Sequence, residues 1–153
     1  MLKRYLLTPG PTPVPPEILL RMARPIFHHR TPEFRGLFAE VQGGLRYLFQ
    51  TEQEVLVLTS SGTGAMEGAV TNTLSTGDKV IVVNGGKFGE RWVKICQAFG
   101  VQVVEIRVEW GKAVDSRMVA QILSEHPDAR ALLVQASETS TTCLLYTSPS
   151  PRD

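Results

Sequence analysis

Three short polar stretches, residues 59–64, 84–89 and 136–141, carry the residue types that could hold an anion or a polar ligand. The first, Thr59-Ser60-Ser61-Gly62-Thr63-Gly64, follows an apolar run, Val55-Leu56-Val57-Leu58, that predicts a buried strand. Ala65, Met66, Ala69 and Val70 then begin an apolar helical face. A strand, a glycine turn and a helix start form an anion site, because the first helical N–H groups lack intrahelical acceptors and the helix dipole favours negative charge there. Gly62 and Gly64 admit a ligand close to the backbone, and Thr63 adds a hydroxyl. The competing reading is an ordinary connection in which Thr63 caps the helix.

The elements that must position these stretches follow in order. Residues 1–16 are proline-dense and predict an extended arm with little helix. Glu17 to Ala23 can form a short helix, ended by Pro25. Thr31-Pro32-Glu33 predicts a helix start, with a cap, a proline at the first position and an acid in the first turn. Phe34, Leu37, Phe38, Val41, Leu45, Leu48 and Phe49 recur at intervals of three and four and predict a core-facing stripe.

After the turn at Ser75-Thr76-Gly77-Asp78, Lys79 to Val83 reads as a strand. Asn84-Gly85-Gly86-Lys87-Phe88-Gly89 is a second glycine turn, leading to a helix through Trp92, Val93, Cys96 and Phe99 that Gly100 closes. Val101 to Val108 is the next strand. A helix from Val114-Asp115-Ser116, through Val119, Ile122 and Leu123, ends at His126-Pro127. Ala131 to Gln135 is a further strand, and the loop Ser137-Glu138-Thr139-Ser140-Thr141 follows. This order predicts an α/β domain with a mainly parallel sheet, covered on both faces. Ligands in such sheets gather at the carboxyl ends of the strands, where the three polar stretches lie.

The bulk numbers narrow the function classes. The chain has 153 residues, 42% apolar and 20% charged, with a net charge of +1. That balance makes no electrostatic case for nucleic acid or an anionic membrane as partner. No apolar run approaches the ~20 residues of a membrane span, and no secretory signal pattern opens the chain. Two cysteines, Cys96 and Cys143, make neither a disulfide framework nor a zinc site, and His28-His29 lacks a third metal ligand. A reducing, cytoplasmic setting is expected, with a peroxisome or other organelle left open.

Nucleotide readings are weakened by the residues themselves. Residues 62–68 spell G-x-G-x-x-x-G, one longer than a dinucleotide fingerprint, and Asn84 stands where an acid should hold a ribose hydroxyl. A P-loop needs Gly-Lys-Ser/Thr, whereas Ala65 follows Gly64.

Five segments carry a resemblance in register: Leu7-Thr8-Pro9-Gly10-Pro11-Thr12, His29-Arg30-Thr31-Pro32-Glu33-Phe34, Ser61-Gly62-Thr63-Gly64-Ala65-Met66-Glu67, Asn84-Gly85-Gly86-Lys87-Phe88-Gly89-Glu90-Arg91 and Ser137-Glu138-Thr139-Ser140-Thr141. They resemble class V aminotransferases, in the alanine–glyoxylate and serine–glyoxylate (serine–pyruvate) subgroup. The resemblance implies pyridoxal 5′-phosphate on a fold-type-I (aspartate-aminotransferase-like) scaffold, normally a homodimer acting on amino acids and 2-oxo acids. By the same resemblance, Thr63, Gly64 and Ala65 hold the cofactor phosphate. Phe88 stacks on its ring and Thr139 lies near its phenolic oxygen. Gly10 of the arm and His29 belong to the substrate end.

The resemblance also places the Schiff-base lysine, the acid for the pyridinium nitrogen and the substrate-binding arginine after Thr141, so this chain is expected to be an inactive amino-terminal part. Lys87 does not match the Schiff-base position and reads as a solvated loop lysine. The family expects glycine soon after Ser140-Thr141, where this chain has Thr142. Residues 143–153 resemble a widely used transposase sequencing adapter read in frame and are expected to be non-native. The expected organisation is thus an arm at 1–16, an incomplete cofactor-binding domain at 17–142 and a foreign tail at 143–153. Rivals are a cysteine desulfurase-like enzyme on the same fold, a phosphate- or dinucleotide-binding module without chemistry, and a split domain without function. Cys96, on an apolar helical face, reads as core and not as a reactive thiol.

Overall fold

The computed structural model describes residues 6–145. They fall into two compact units, one ending at Val57 and one beginning at Leu58.

The first unit holds the arm and two helices. Residues 6–15 form neither helix nor strand, as their prolines dictate. Helix α1 spans Pro16–Met22 and α2 spans Pro32–Phe49. Helix α2 starts as its sequence demands: Thr31 Oγ1 accepts from Phe34 N–H at 3.3 Å and Pro32 opens the first turn. Its apolar stripe is not a core face here, which corrects the expectation. Phe34 and Leu45 are half-buried, while Leu37, Phe38, Val41, Leu48 and Phe49 are exposed. Periodicity determines which face is apolar. Covering that face takes a second layer, which an arm and two helices do not supply.

The second unit is built on a parallel sheet. Helix α3 (Gly62–Thr73) precedes β1 (Lys79–Asn84), and α4 (Lys87–Ala98), β2 (Gln102–Arg107), α5 (Ser116–Glu125) and β3 (Ala129–Leu133) follow. The strands are ordered β2-β1-β3 and all run parallel, with Val80 opposite Val103 and Ala131. The central strand carries the core, and its pleat splits the apolar residues between two faces. Val80 and Val82 pack with Met66, Val70, Val93 and Cys96 from α3 and α4. Ile81 and Val83 pack with Ile106 and, from α5, Val119 and Ile122. Val80, Ile81, Val82 and Cys96 are all fully buried, at about 1.5–3 kcal/mol for each large aliphatic side chain. Cys96 is thus core, as its helical face predicts.

Turn chemistry matches the sequence at the helix ends. Asp115 caps α5 through Arg117 N–H, and Gly100 takes a positive φ of 72° just after α4.

Three details differ from expectation. Val55 to Leu58 form no strand, and Leu56, Val57 and Leu58 are exposed. An apolar run supplies the tendency to bury, but a strand exists only by its ladder, and these residues pair with no edge among those described. Strand β3 sits two residues earlier than Ala131–Gln135, because a register shift against β1 sets Lys79 opposite Ala129. Finally, β4 (Ser137–Glu138) pairs antiparallel with β5 (Cys143–Leu144), where an unpaired loop is expected. Residues 146–153 of the expected foreign tail lie outside the described residues.

Candidate functional site

At the carboxyl ends of the strands two helices present their N-termini, and the two are treated differently. Helix α3 starts at Ser61, whose side chain makes no capping bond, so Thr63 lies inside the first turn and is not the cap. Gly64 N–H turns back to Ser61 O at 3.0 Å, which leaves the first amides of the helix for an outside acceptor. A Cβ at position 64 would press on the Ser60 side chain, so any larger residue there makes Ser60 move. Ala65 is exposed on the same turn.

Helix α4 starts at Gly86, also without a local cap. A distant carboxylate takes its place. Glu138 accepts from Phe88 N–H and Gly89 N–H, each at 3.0 Å, and from the hydroxyl of Ser140 at 2.5 Å. Ser140 Oγ in turn accepts from Lys87 N–H at 2.9 Å. Glu138 is buried, which disfavours its charged form, yet the donors from Ser140, Gly89 and Phe88 outweigh that and hold its carboxyl below the usual range. Neither the loop nor the turn could reveal this bond alone, since about fifty residues separate them; the one sequence signal is an acid placed among small hydroxyl residues after an apolar strand.

Arg91, one turn into α4, joins the two helix starts. Its Nη1 donates to Thr63 Oγ1 at 2.9 Å, and its guanidinium lies 5.0 Å from the centroid of the Phe88 ring. A positive fork, an open helix N-terminus, a hydroxyl and an aromatic face therefore adjoin one another. This set suits an anionic group attached to a flat ring.

The sequence-derived candidates divide accordingly. Thr63, Gly64, Ala65, Phe88 and Thr139 belong to the second unit. Thr63 and Phe88 both meet Arg91, and Thr139 is an exposed residue between the two bonded residues Glu138 and Ser140. Gly10 and His29 belong to the first unit. Gly10 is exposed in the arm, and the exposed His29 ring stacks on His28 at 4.5 Å. Lys87 is solvated as expected, paired with Glu90 at 2.9 Å and lying 5.4 Å from the Trp110 ring centroid. Glu138 and Arg91 are the two residues whose roles the sequence did not show.

The aminotransferase class-V family matches residues 4–143. Over 141 residues the chain is 47% identical to a protein of Anabaena cylindrica named soluble hydrogenase 42 kDa subunit, covering 91% of this chain and 37% of that protein. An aspartate aminotransferase of subgroup IV from Thermus thermophilus superposes with a TM-score of 0.82 at 41% identity, over 92% of this chain and 39% of that one. An alanine–glyoxylate aminotransferase from Nostoc sp. gives 0.80 at 34% identity, over 92% and 37%. The chain thus spans well under half the length of the relatives it matches, and its own fold is part of the aspartate-aminotransferase-like α/β fold. By its sequence match from end to end of the described helices and sheet, the chain belongs to the class-V aminotransferases.

Proposed function

We propose that this sequence is the cofactor-binding part of a pyridoxal 5′-phosphate-dependent aminotransferase that moves an amino group from alanine or serine to glyoxylate or a related 2-oxo acid, working as a homodimer. The observation that carries the reading is Arg91, bonded to Thr63 at the open start of α3 and lying over Phe88.

The residues present fit the cofactor. Its phosphate is a dianion suited to the first amides of α3, Thr63 Oγ1 and the Arg91 charge. Phe88 offers a π-face to the ring, without the N–H an indole would add. Gly64 keeps the turn open, Ala65 continues it, and Thr139 offers a hydroxyl. Bound pyridoxal phosphate supplies an electron sink for the substrate carbon that loses a proton. The side chains described here bind and orient, and Gly10 and His29 serve the substrate end. The proton-moving lysine, the acid for the ring nitrogen and the substrate arginine belong, by family resemblance, to later positions. The 153 residues alone therefore complete no turnover, and residues 143–153 are foreign to the natural protein. Among the described residues no helix is long and apolar enough to cross a membrane. Cytoplasmic location is part of the same reading, since two cysteines in 153 residues make no disulfide framework.

Titration of the 153-residue chain with pyridoxal phosphate, followed by cofactor absorbance and by fluorescence of Trp92 and Trp110, tests the reading. Saturable binding, weakened in the Arg91→Met variant, is expected. No uptake, by this chain or by a longer chain that carries it, would sink the proposal. Amino donors are then ranked in the longer chain with alanine, serine and aspartate against glyoxylate. The aspartate arm follows the name of the Thermus relative.

A further inference from the structure

We propose that Glu138 is a positioning residue that docks the loop after β3 on the first turn of α4, fills that helix N-terminus with the protein's own carboxylate, and so leaves the start of α3 as the anion-accepting end. The ligand's identity rests on the cofactor reading above; the latch itself does not.

Both Glu138 oxygens face donors. Oε2 accepts from Phe88 and Gly89 N–H, and Oε1 accepts from Ser140 Oγ and, at 3.3 Å, Ser140 N–H. The carboxylate lies against Gly86, where a Cβ would stand 2.6 Å from Glu138 Cδ and 2.7 Å from Ser140 Oγ. Glycine at 86 is therefore a condition for the latch. Two consequences follow. One buried group holds the Phe88 backbone and the Ser140 that follows Thr139, so the aromatic face and the loop hydroxyl keep a common frame. The dipole of α4 is also already matched by negative charge, which repels any second anion from that turn, whereas α3 has no such side chain.

The test uses the 153-residue chain with Glu138→Gln, Glu138→Ala and Ser140→Ala, read by amide exchange and by titration with pyridoxal phosphate and with inorganic phosphate. Glutamine keeps the size but points an NH2 at N–H donors. In E138Q, exchange at Phe88 and Gly89 should rise about tenfold or more and pyridoxal phosphate affinity should fall about tenfold, with exchange at Ile81 unchanged. In E138A, inorganic phosphate should shift the Phe88 and Gly89 amides, as it does not in the wild type, because the vacated helix start now takes an outside anion. Ser140→Ala should show a smaller version of the E138Q effect and carries the test if E138A does not fold. Unchanged exchange and affinity in E138Q overturn the latch, as does loss of protection at Phe88 only in step with Ile81. If the wild type binds no pyridoxal phosphate while E138Q still frees Phe88 and Gly89, the cofactor reading falls and the latch stands.

Discussion

Arg91 Nη1 donates a hydrogen bond to Thr63 Oγ1 across 2.9 Å, joining the start of the second turn of α4 to the first turn of α3. No carboxylate pairs with Arg91 among the described residues, so its charge is free for an anion held at Thr63. Arg91→Met, which keeps the apolar stem, should weaken pyridoxal phosphate binding by about 1.5–3 kcal/mol, the range for a charge-assisted bond. Arg91→Lys should fall between, since lysine lacks the planar fork. Pyridoxal without its phosphate should bind both variants and wild type alike. Equal affinity of R91M and wild type for the phosphate ester, measured by fluorescence titration, would refute the role.

Acid should open the site through Glu138. Its folded carboxyl ionises below the ordinary value of about 4.3, because the Ser140, Gly89 and Phe88 donors outweigh burial. A depressed folded value means that the unfolded chain binds the proton more readily. The stabilisation is therefore complete above about pH 4.3 and lost as pH falls through the folded value. Urea midpoints measured from neutral pH downward should drop more steeply in wild type than in E138Q. Parallel acid limbs in the two proteins would contradict the assignment.

Gly89 has no room for a side chain. A Cβ there would stand 2.8 Å from Asn84 Cα and from Val83 O, both backbone atoms that cannot swing aside. Gly89→Ala should push α4 off the end of β1 and destabilise by about 1–3 kcal/mol, as overpacking does. A control at Gly68, where a Cβ meets nothing within 4 Å, should be neutral or stabilising as a mid-helix glycine-to-alanine change. Chemical denaturation of both variants checks the contrast, and an unchanged midpoint for G89A would count against this packing.

Thr142 takes a positive φ of 56°, a region unfavourable to a β-branched residue and open to glycine. Thr142→Gly should raise the denaturation midpoint, the relief of about 1–2 kcal/mol exceeding the entropic cost of glycine. Thr142→Val should lower it. A lower midpoint in T142G would show that the left-handed turn is not populated in solution.

Sequence and structure agree wherever a short-range rule decides. The Thr31-Pro32 start of α2, the Asp115 cap of α5, the glycine after α4 and the strand from Lys79 to Val83 all appear where expected. Each depends on groups within a few residues of one another, or on a strand apolar enough to be covered on both faces. The same reasoning failed for Val55 to Leu58 and for the α2 stripe, whose apolar character says nothing about which partner covers it.

By itself the sequence determined the alternation of helices and strands from α3 to β3, the two glycine turns and the family to which they belong, because propensity, capping and motif spacing act along the chain. Tertiary structure alone decided which helix N-terminus stays open. Glu138 lies about fifty residues beyond Phe88, and Arg91 lies 28 beyond Thr63, so only the parallel crossing of β1 and β3 and the packing of α4 beside α3 bring donor and acceptor within bonding distance. Hydrogen bonds act over about 3 Å, and at that range contact order in space, not order along the chain, assigns the partner.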